Sequence, residues 1–318
     1  MIKKILITGA AGFIGSHLSE KLHSKFKSSQ FILYDKITYA ANKIYLKNLL
    51  KKKNVKFIRD DILNFKSLEN SLKNVDLAIN VAAESHVDNS YGNSLIFTET
   101  NTLGTHFFLE SCRKRGVKKI IHVSTDEVYG ENLKKPFKEF QSLNPTNPYA
   151  ASKAGGDMMV NAYKKSYKMN IITVRANNIY GTRQYPEKLI SKSIYNFICN
   201  KKMTIHGRGN NYRFYLSVDD FCWGIIKIIT TGKSGNIYNI ASKKKYKITE
   251  VIKMIANYLN KSFKKNIKFV EDRPFNDKIY KINCNKLKKL SWKPKNNLED
   301  DLPKICEWYK DNINLFKK

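Results

Sequence analysis

The chain has 318 residues, 42% of them hydrophobic and 12% aromatic, with 58 Lys and Arg against 27 Asp and Glu, a formal charge of +31. This composition suits a folded chain with a large core and excludes intrinsic disorder, and 7 Pro and 15 Gly are too few for long linkers. The charge raises nucleic acid or an anionic membrane as partners. Only eight basic residues are Arg, however, and the Lys residues are scattered along the whole chain. We read a solvated surface that attracts anionic small molecules, with no nucleic-acid partner.

In chain order, short β-branched runs at Ile2–Thr8, Phe31–Asp35, Val55–Arg59, Val75–Val81, Val117–Ser124 and Ile171–Arg175 predict buried parallel strands. The segments Phe13–Phe26, Ser67–Leu72, Leu95–Arg115 and Tyr149–Tyr167 between them predict helices. This alternation implies an α/β fold, a doubly wound parallel sheet of Rossmann type. The helix Asp219–Thr230 leads into one further strand, Gly235–Ile240. Beyond Arg175 the pattern loosens: Tyr180–Tyr185, His206–Tyr212 and Asp272–Tyr280 read as irregular, with helices at Glu187–Asn200, Thr249–Leu259 and Leu298–Tyr309. The expected organisation is a dinucleotide-binding unit over 1–175 plus the strand region near 216–240. A smaller, interleaved substrate lobe covers 176–215 and 241–318.

Five widely spaced Cys without a CxxC pair predict reduced thiols in a cytoplasmic protein, and neither Cys nor His shows metal-ligand spacing. No apolar run approaches the length that spans a bilayer, so no membrane partner is expected.

The first expected strand runs into Gly9-Ala-Ala-Gly12-Phe13-Ile14-Gly15 and then a helix, which suits a phosphate cradle at a helix N-terminus. Asp35 ends the second strand 20 positions after Gly15, where a carboxylate binds adenosine ribose hydroxyls and repels a 2′-phosphate. NAD is therefore favoured over NADP, with Lys36 beside that carboxylate. Asp61-Ile62 suits the adenine edge, or an Asx turn that starts a helix. Ala82-Ala83 offers small side chains where backbone passes close to the cofactor, and Thr100 is placed on the same binding face.

Tyr149 and Lys153 stand four apart on one helix face. An ammonium beside a phenol, with a cationic nicotinamide, lowers the phenol's ordinary pKa of about 10 toward the working range. The adjacent carboxylates Asp126 and Glu127 lie at the end of a buried strand, where two ionisable acids need a reason. They suit a general acid and a general base acting on neighbouring carbons, with Thr125 hydrogen-bonding the hydroxyl that is oxidised. An exposed turn is the alternative.

The runs GAAGFIGSH from Gly9, AAESHVDNS from Ala82, STDEVYG from Ser124, NPYAASKA from Asn147, QYPEKLI from Gln184 and DRPFND from Asp272 carry a resemblance over nearly the whole chain. The sequence resembles the extended short-chain dehydrogenase/reductase family and, within it, the nucleotide-sugar 4,6-dehydratases of dTDP-glucose and UDP-glucose type. That resemblance implies a nucleotide-activated hexose substrate and a homodimer. It implies that Tyr149, helped by Lys153 and Thr125, deprotonates the sugar 4-hydroxyl during oxidation. Glu127 would then take the C5 proton, Asp126 would protonate the departing 6-hydroxyl, and hydride would return to C6. It further implies substrate contacts from Ser85, Asn178, Lys188, Leu189, His206, Arg213 and Asn239, and a nucleotide-binding segment with Asp272, Arg273 and Asp277. For Arg213 a structural salt bridge is the alternative. Three residues depart from the pattern. Thr182 and Ser191 stand where Pro is common, which predicts looser loops, and His206 replaces an aromatic residue that stacks on the base. A 4-epimerase or decarboxylase of the same fold is the nearest rival, followed by a non-catalytic NAD sensor.

Overall fold

The computed structural model describes residues 2–131, 135–272 and 277–317. Its strands, in chain order, are β1 (Lys4–Thr8), β2 (Gln30–Asp35), β3 (Val55–Arg59), β4 (Leu77–Asn80), β5 (Lys119–Thr125), β6 (Ile171–Ala176), β7 (Asn178–Tyr180), β8 (Met203–His206), β9 (Tyr212–Ser217), β10 (Ile237–Ile240), β11 (Lys245–Lys247) and β12 (Ile267–Val270). Seven of them form one parallel sheet in the order β10-β6-β5-β4-β1-β2-β3. Strand order reverses between β1 and β4, so a crevice opens beyond the carboxyl ends at that point. β1, β4, β5 and β6 are almost wholly buried, because crossover helices cover both faces of a parallel sheet.

The expected strands and helices form with boundaries shifted by a few residues. The helix expected over Leu95–Arg115 is one continuous rod with a change of pitch: Ser94–Thr98 is α-helical, Glu99–Leu103 is π-helical and Gly104–Lys114 is α-helical again. Short π segments recur at functional sites because the widened turn re-aims its side chains. Here it carries Thr100 and Asn101, both buried.

Tyr180–Tyr185 and His206–Tyr212 are irregular except at their ends, and around them the chain forms two small sheets that were not expected, β11-β9-β7 and β12-β8. Their strands are only 3 to 6 residues long, too short to show a period of two in sequence. A second hydrophobic core gathers Ile194, Phe197, Ile205, Ile252 and Tyr309 beneath them. One part of the C-terminal region belongs elsewhere: Ile282, Cys284, Leu287 and Trp292, expected with the smaller lobe, pack into the core of the large sheet. Among the described residues no helix is long and apolar enough to cross a membrane, and the five thiols are unpaired.

Candidate active site

One cleft runs along the carboxyl ends of β1, β2, β4, β5 and β6 and is closed on its far side by the small sheets. Its first part is the glycine turn. Gly9 sits at φ +64°, and a Cβ there would lie 2.7 Å from the Ala82 backbone; a Cβ on Gly15 would lie 2.0 Å from the Gly9 carbonyl oxygen. Both positions therefore require glycine, the first for its left-handed backbone and the second for close packing of helix on turn. Helix Phe13–Lys25 begins directly after the turn with no acidic residue in its first turn, so its N-terminal N–H groups suit phosphate.

Asp35 lines the cleft, and both its oxygens also brace the turn: Oδ2 accepts from Ala11 N at 2.9 Å and Oδ1 from Ile37 N at 2.7 Å. Burial pushes its pKa up, against these backbone donors. Lys36 and Asp61 also line the cleft and pair at 3.1 Å. Asp61 makes the expected Asx turn, its Oδ1 accepting from Leu63 N at 3.0 Å, and the residue also faces the cleft beside Ile62. Ala82, Ala83, Ser85 and Thr100 line the same groove. The hydroxyls of Thr100 and Ser124 are buried without a hydrogen-bond partner. Buried polar atoms are costly to leave unpaired, and these two open onto a groove shaped for a dinucleotide. The residues present fit NAD.

The acids come next. β5 ends at Thr125, which caps a short 3-10 turn, Asp126–Tyr129, by accepting from Glu127 N at 3.3 Å. This turn buries Asp126 and Glu127 side by side. Asp126 Oδ1 accepts from the Thr125 hydroxyl at 3.3 Å and Oδ2 from Asn177 Nδ2 at 2.6 Å. Burial, then the neighbouring charge of Glu127, push the Asp126 pKa up to about 7. Glu127 is also raised by burial, but the Lys188 and Arg213 cations pull it back and Asn147 Nδ2 donates to it at 3.4 Å. Burial raises both carboxyl groups, but the neighbouring charge adds to the rise at Asp126 while two cations oppose it at Glu127, the kind of inequality that separates an acid from a base.

Asn147 also caps helix Pro148–Ser166 by accepting from Ala150 N at 2.9 Å, with Pro148 in the first turn. That cap aims Tyr149 and Lys153 inward, each under 10% exposed. Lys153 Nζ donates to the Val123 carbonyl at 2.8 Å, and burial brings its pKa down to about 8. The Tyr149 hydroxyl bonds to Thr125, while burial and the Glu127 charge push its pKa above the ordinary range. A phenol in that state needs added positive charge before it can act as a base.

Lys188, Leu189, His206, Arg213, Asp277 and Asn178 line the far side of the cleft. Lys188 Nζ donates to the Ser85 carbonyl and stands 5.7 Å from the Tyr149 ring centre. Arg213 faces the same part of the cleft. Its Nη1 donates to the Asp277 carbonyl at 2.8 Å and its guanidinium lies 5.1 Å from the Tyr280 ring centre. The Asp277 carboxylate accepts from Thr146 at 2.9 Å and from the Tyr280 hydroxyl. His206 Nδ1 bonds to the Glu271 carbonyl at 3.2 Å. Asp272 packs its carboxylate against Gly207 outside the cleft wall, and Arg273 lies outside the described residues.

One expected contact is corrected. Asn239 is fully buried and away from the cleft; Oδ1 accepts from Tyr129 at 3.0 Å, and Nδ2 donates to the Asn283 and Phe137 carbonyls at 3.1 and 3.3 Å. All its polar atoms are used in joining β10 to its neighbours. The expected loosening at Thr182 and Ser191 is also corrected, because hydrogen bonds replace proline's rigidity. Thr182 Oγ1 bonds to His17 Nε2 at 3.1 Å, and Ser191 donates to the Tyr185 and Lys188 carbonyls at 2.8 and 3.0 Å. Sequence reasoning missed Asn177, which holds Asp126, and Asn101, which links the Glu84 backbone to Ser152. Neither lies at a recognisable spacing from its partner, since 51 residues separate each from Asp126 or Ser152.

A parallel sheet with a glycine turn at its switch point, and a Tyr–Lys pair facing it, defines a dinucleotide-dependent enzyme of the short-chain dehydrogenase/reductase class. The chain belongs to the family whose model is described as GDP-mannose 4,6 dehydratase, which matches residues 6–305. It is 43% identical to a dTDP-D-glucose 4,6-dehydratase of Dictyostelium discoideum, over 99% of this chain and 83% of that protein. It is also 43% identical to an Arabidopsis thaliana trifunctional protein with UDP-glucose 4,6-dehydratase activity in its name, over 98% of this chain, but spans only 47% of that protein's length. The fold superposes with TM-score 0.96 on a dTDP-glucose 4,6-dehydratase of Streptomyces venezuelae crystallised with NAD, at 34% identity and covering 99% of both chains.

Proposed function

We propose that this chain is an NAD-dependent nucleotide-sugar 4,6-dehydratase that converts dTDP-glucose to dTDP-4-keto-6-deoxyglucose and water. The observation that carries the proposal is the buried Asp126–Glu127 pair: Glu127 lines one cleft with Thr125, Tyr149 and Lys153, and Asp126 is held directly behind it by Thr125 and Asn177. Oxidation alone needs the second pair; removal of water across C5 and C6 needs the first as well.

Gly9, Gly12, Phe13, Ile14, Gly15, Asp35, Lys36, Asp61, Ile62, Ala82, Ala83 and Thr100 would hold the cofactor, with Tyr149 and Lys153 at its reacting end. NAD when bound accepts hydride from the sugar and gives it back within the same turnover. Tyr149 takes the proton of the 4-hydroxyl, with Thr125 holding that oxygen and Lys153 supplying positive charge. The resulting 4-ketone acidifies C5–H. Glu127, faced by Lys188 and Arg213, takes that proton, while Asp126 holds a proton for the leaving 6-hydroxyl. Lys188, Arg213 and Asn178 suit the sugar diphosphate, and Ser85 the hexose. Leu189, His206 and Asp277 suit the nucleotide. On this reading 1–175 with 216–240 bind the cofactor, and most of the remainder binds the substrate. Exposed Leu95, Leu103 and Met158 on the helices Ser94–Thr98, Glu99–Leu103 and Pro148–Ser166 suit a homodimer. The unpaired thiols suit the cytoplasm, and the product would serve deoxysugar synthesis of the rhamnose kind.

UDP-glucose is the second reading, favoured by the Arabidopsis relative, and His206 in place of a larger stacking ring leaves the choice of base open. Incubation with both nucleotide sugars, scored by mass for loss of water, separates them. The reaction itself is tested with substrate deuterated at C4, which should yield product with deuterium in its methyl group. Label kept at C4, or an unlabelled methyl group, overturns the proposal.

Two further results are expected. Asp35→Ala should weaken NAD binding by about 10- to 100-fold, the worth of hydrogen bonds to a charged group, while relaxing discrimination against NADP. Titrations showing that the natural protein binds both cofactors equally would remove Asp35 from that role. The second concerns pH. Asp126 has its pKa raised to about 7, so it holds its proton in the fold at pH values where the unfolded chain has lost it. Stability therefore falls as pH rises from about 4 to about 7. Asp126→Asn removes that dependence and should raise the melting temperature at pH 8 by about 3 °C or more.

A further inference from the structure

Beneath the Tyr–Lys pair lies a buried ionic cluster that none of the steps above uses. Asp157 stands four residues after Lys153 on the same helix, on the same face, and is 4% exposed. Its Oδ2 accepts from Arg175 Nε at 2.8 Å, and its Oδ1 approaches His122 Nε2 to 3.4 Å. His122 is on β5 and Arg175 on β6, so the carboxylate is tied to two neighbouring strands. Arg175 lies in turn 4.7 Å from the ring centre of Tyr129, at the end of the turn that carries Asp126 and Glu127.

We propose that Asp157 is a positioning residue for the reaction: held off Lys153 by Arg175 and His122, it keeps the buried Lys153 charged without occupying its N–H groups. Lys153 has one hydrogen bond to protein among the described contacts, to the Val123 carbonyl, and forms no salt bridge there. A carboxylate free to reach it would pair with the ammonium directly and draw it away from Tyr149. Arg175 prevents this, because its guanidinium on β6 already holds Asp157 Oδ2 through Nε at 2.8 Å. The groups around Lys153 are Tyr149 and Asp157 on its own helix, His122 on β5, Asp126 and Glu127 on the following turn, and Arg175 on β6. Burial drives the His122 imidazole toward its neutral form, so Asp157 and Arg175 are the fixed charges of the cluster. The Asp157 charge favours the charged state of Lys153 against burial.

Removing either fixed charge should then move Lys153 in opposite directions. In Asp157→Asn the ammonium loses its support and Arg175 stands uncompensated, so the alkaline limb of the kcat–pH profile should move down by about one unit and kcat at pH 8 should fall about tenfold. In Arg175→Gln the carboxylate acts undiluted, and the limb should move up. Asp157→Glu keeps the charge and should restore the wild-type limb. The inference rests on Lys153 assisting Tyr149, so a second readout is independent of turnover. Competitive acylation of Lys153 in the protein alone, followed by peptide mass spectrometry across pH, should show the same opposite displacements. If Asp157→Asn does not fold, Asp157→Glu and Arg175→Gln carry the test by both readouts. Opposite displacements in acylation with unchanged kcat profiles would indict the assignment of Lys153 instead. Displacement in one direction for all variants, or none, shows that the cluster only holds the strands together and overturns the proposal.

Discussion

Tyr149→Phe is expected to lower kcat by about 10³- to 10⁴-fold while changing KM for the nucleotide sugar only a few-fold. The substitution deletes one oxygen and leaves the ring, which packs edge-on against Phe97 with centroids 6.3 Å apart and carries Lys188 above it. Packing and substrate binding should therefore survive. What disappears is the group proposed to take the 4-hydroxyl proton. Burial and the Glu127 charge hold the Tyr149 pKa above its ordinary range, so the phenolate forms only when positive charge is added beside it. Lys153 supplies one such charge and the bound cofactor another, and the rate of the natural enzyme should accordingly rise with pH on the acid side. Steady-state kinetics at saturating substrate, with a melting curve to verify folding, checks this. A phenylalanine variant retaining a tenth of the activity would remove Tyr149 from the chemistry.

Glu127→Gln should lower turnover by about 10²- to 10⁴-fold and stop solvent deuterium from entering C5. The change is nearly isosteric in a fully buried site, and Asn147 Nδ2, 3.4 Å from the carboxylate, can turn to suit an amide oxygen. Oxidation at C4 uses other residues and should be impaired less. Asp126→Asn should behave differently: proton removal at C5 continues and exchange with solvent persists, while departure of the 6-hydroxyl stalls. Their surroundings make the two acids unequal. Asp126 sits between Thr125 and Asn177 with its pKa pushed up to about 7, whereas Glu127 faces Lys188 and Arg213. Mass and proton spectra of recovered substrate after incubation in deuterated water decide the case. Exchange at C5 that continues at the wild-type rate in Glu127→Gln would require a different base.

The sheet, the glycine turn and the order of the acid pair and the Tyr–Lys pair were legible in the amino-acid sequence because each depends on local spacing. A buried parallel strand must be continuously apolar, so β1, β2, β4, β5 and β6 stand out as short runs, whereas β3, also expected to be buried, is the sheet edge and has no buried residue. A turn that brings the Gly15 position within 2.0 Å of the Gly9 carbonyl oxygen tolerates no side chain, so glycine marks it. Tyr149 and Lys153 share a helix face by their spacing alone. The small sheets were not legible, since β7, β8 and β11 have 3 or 4 residues each and draw their stability from packing on Ile205, Ile252 and Tyr309. The same limit applied within the site. Asn239 precedes a strand end that faces ligand in outline, yet the fold surrounds it with Tyr129, Phe137 and Asn283 and consumes its hydrogen bonds. Asn177 reaches Asp126 across 51 residues of chain, and Asp157 reaches Arg175 and His122 on two separate strands. Contacts of that kind are set by strand order and register, and a sequence written in one dimension carries neither. Local geometry thus named the residues proposed for the chemistry, and only the folded chain determined which side chains hold them in place.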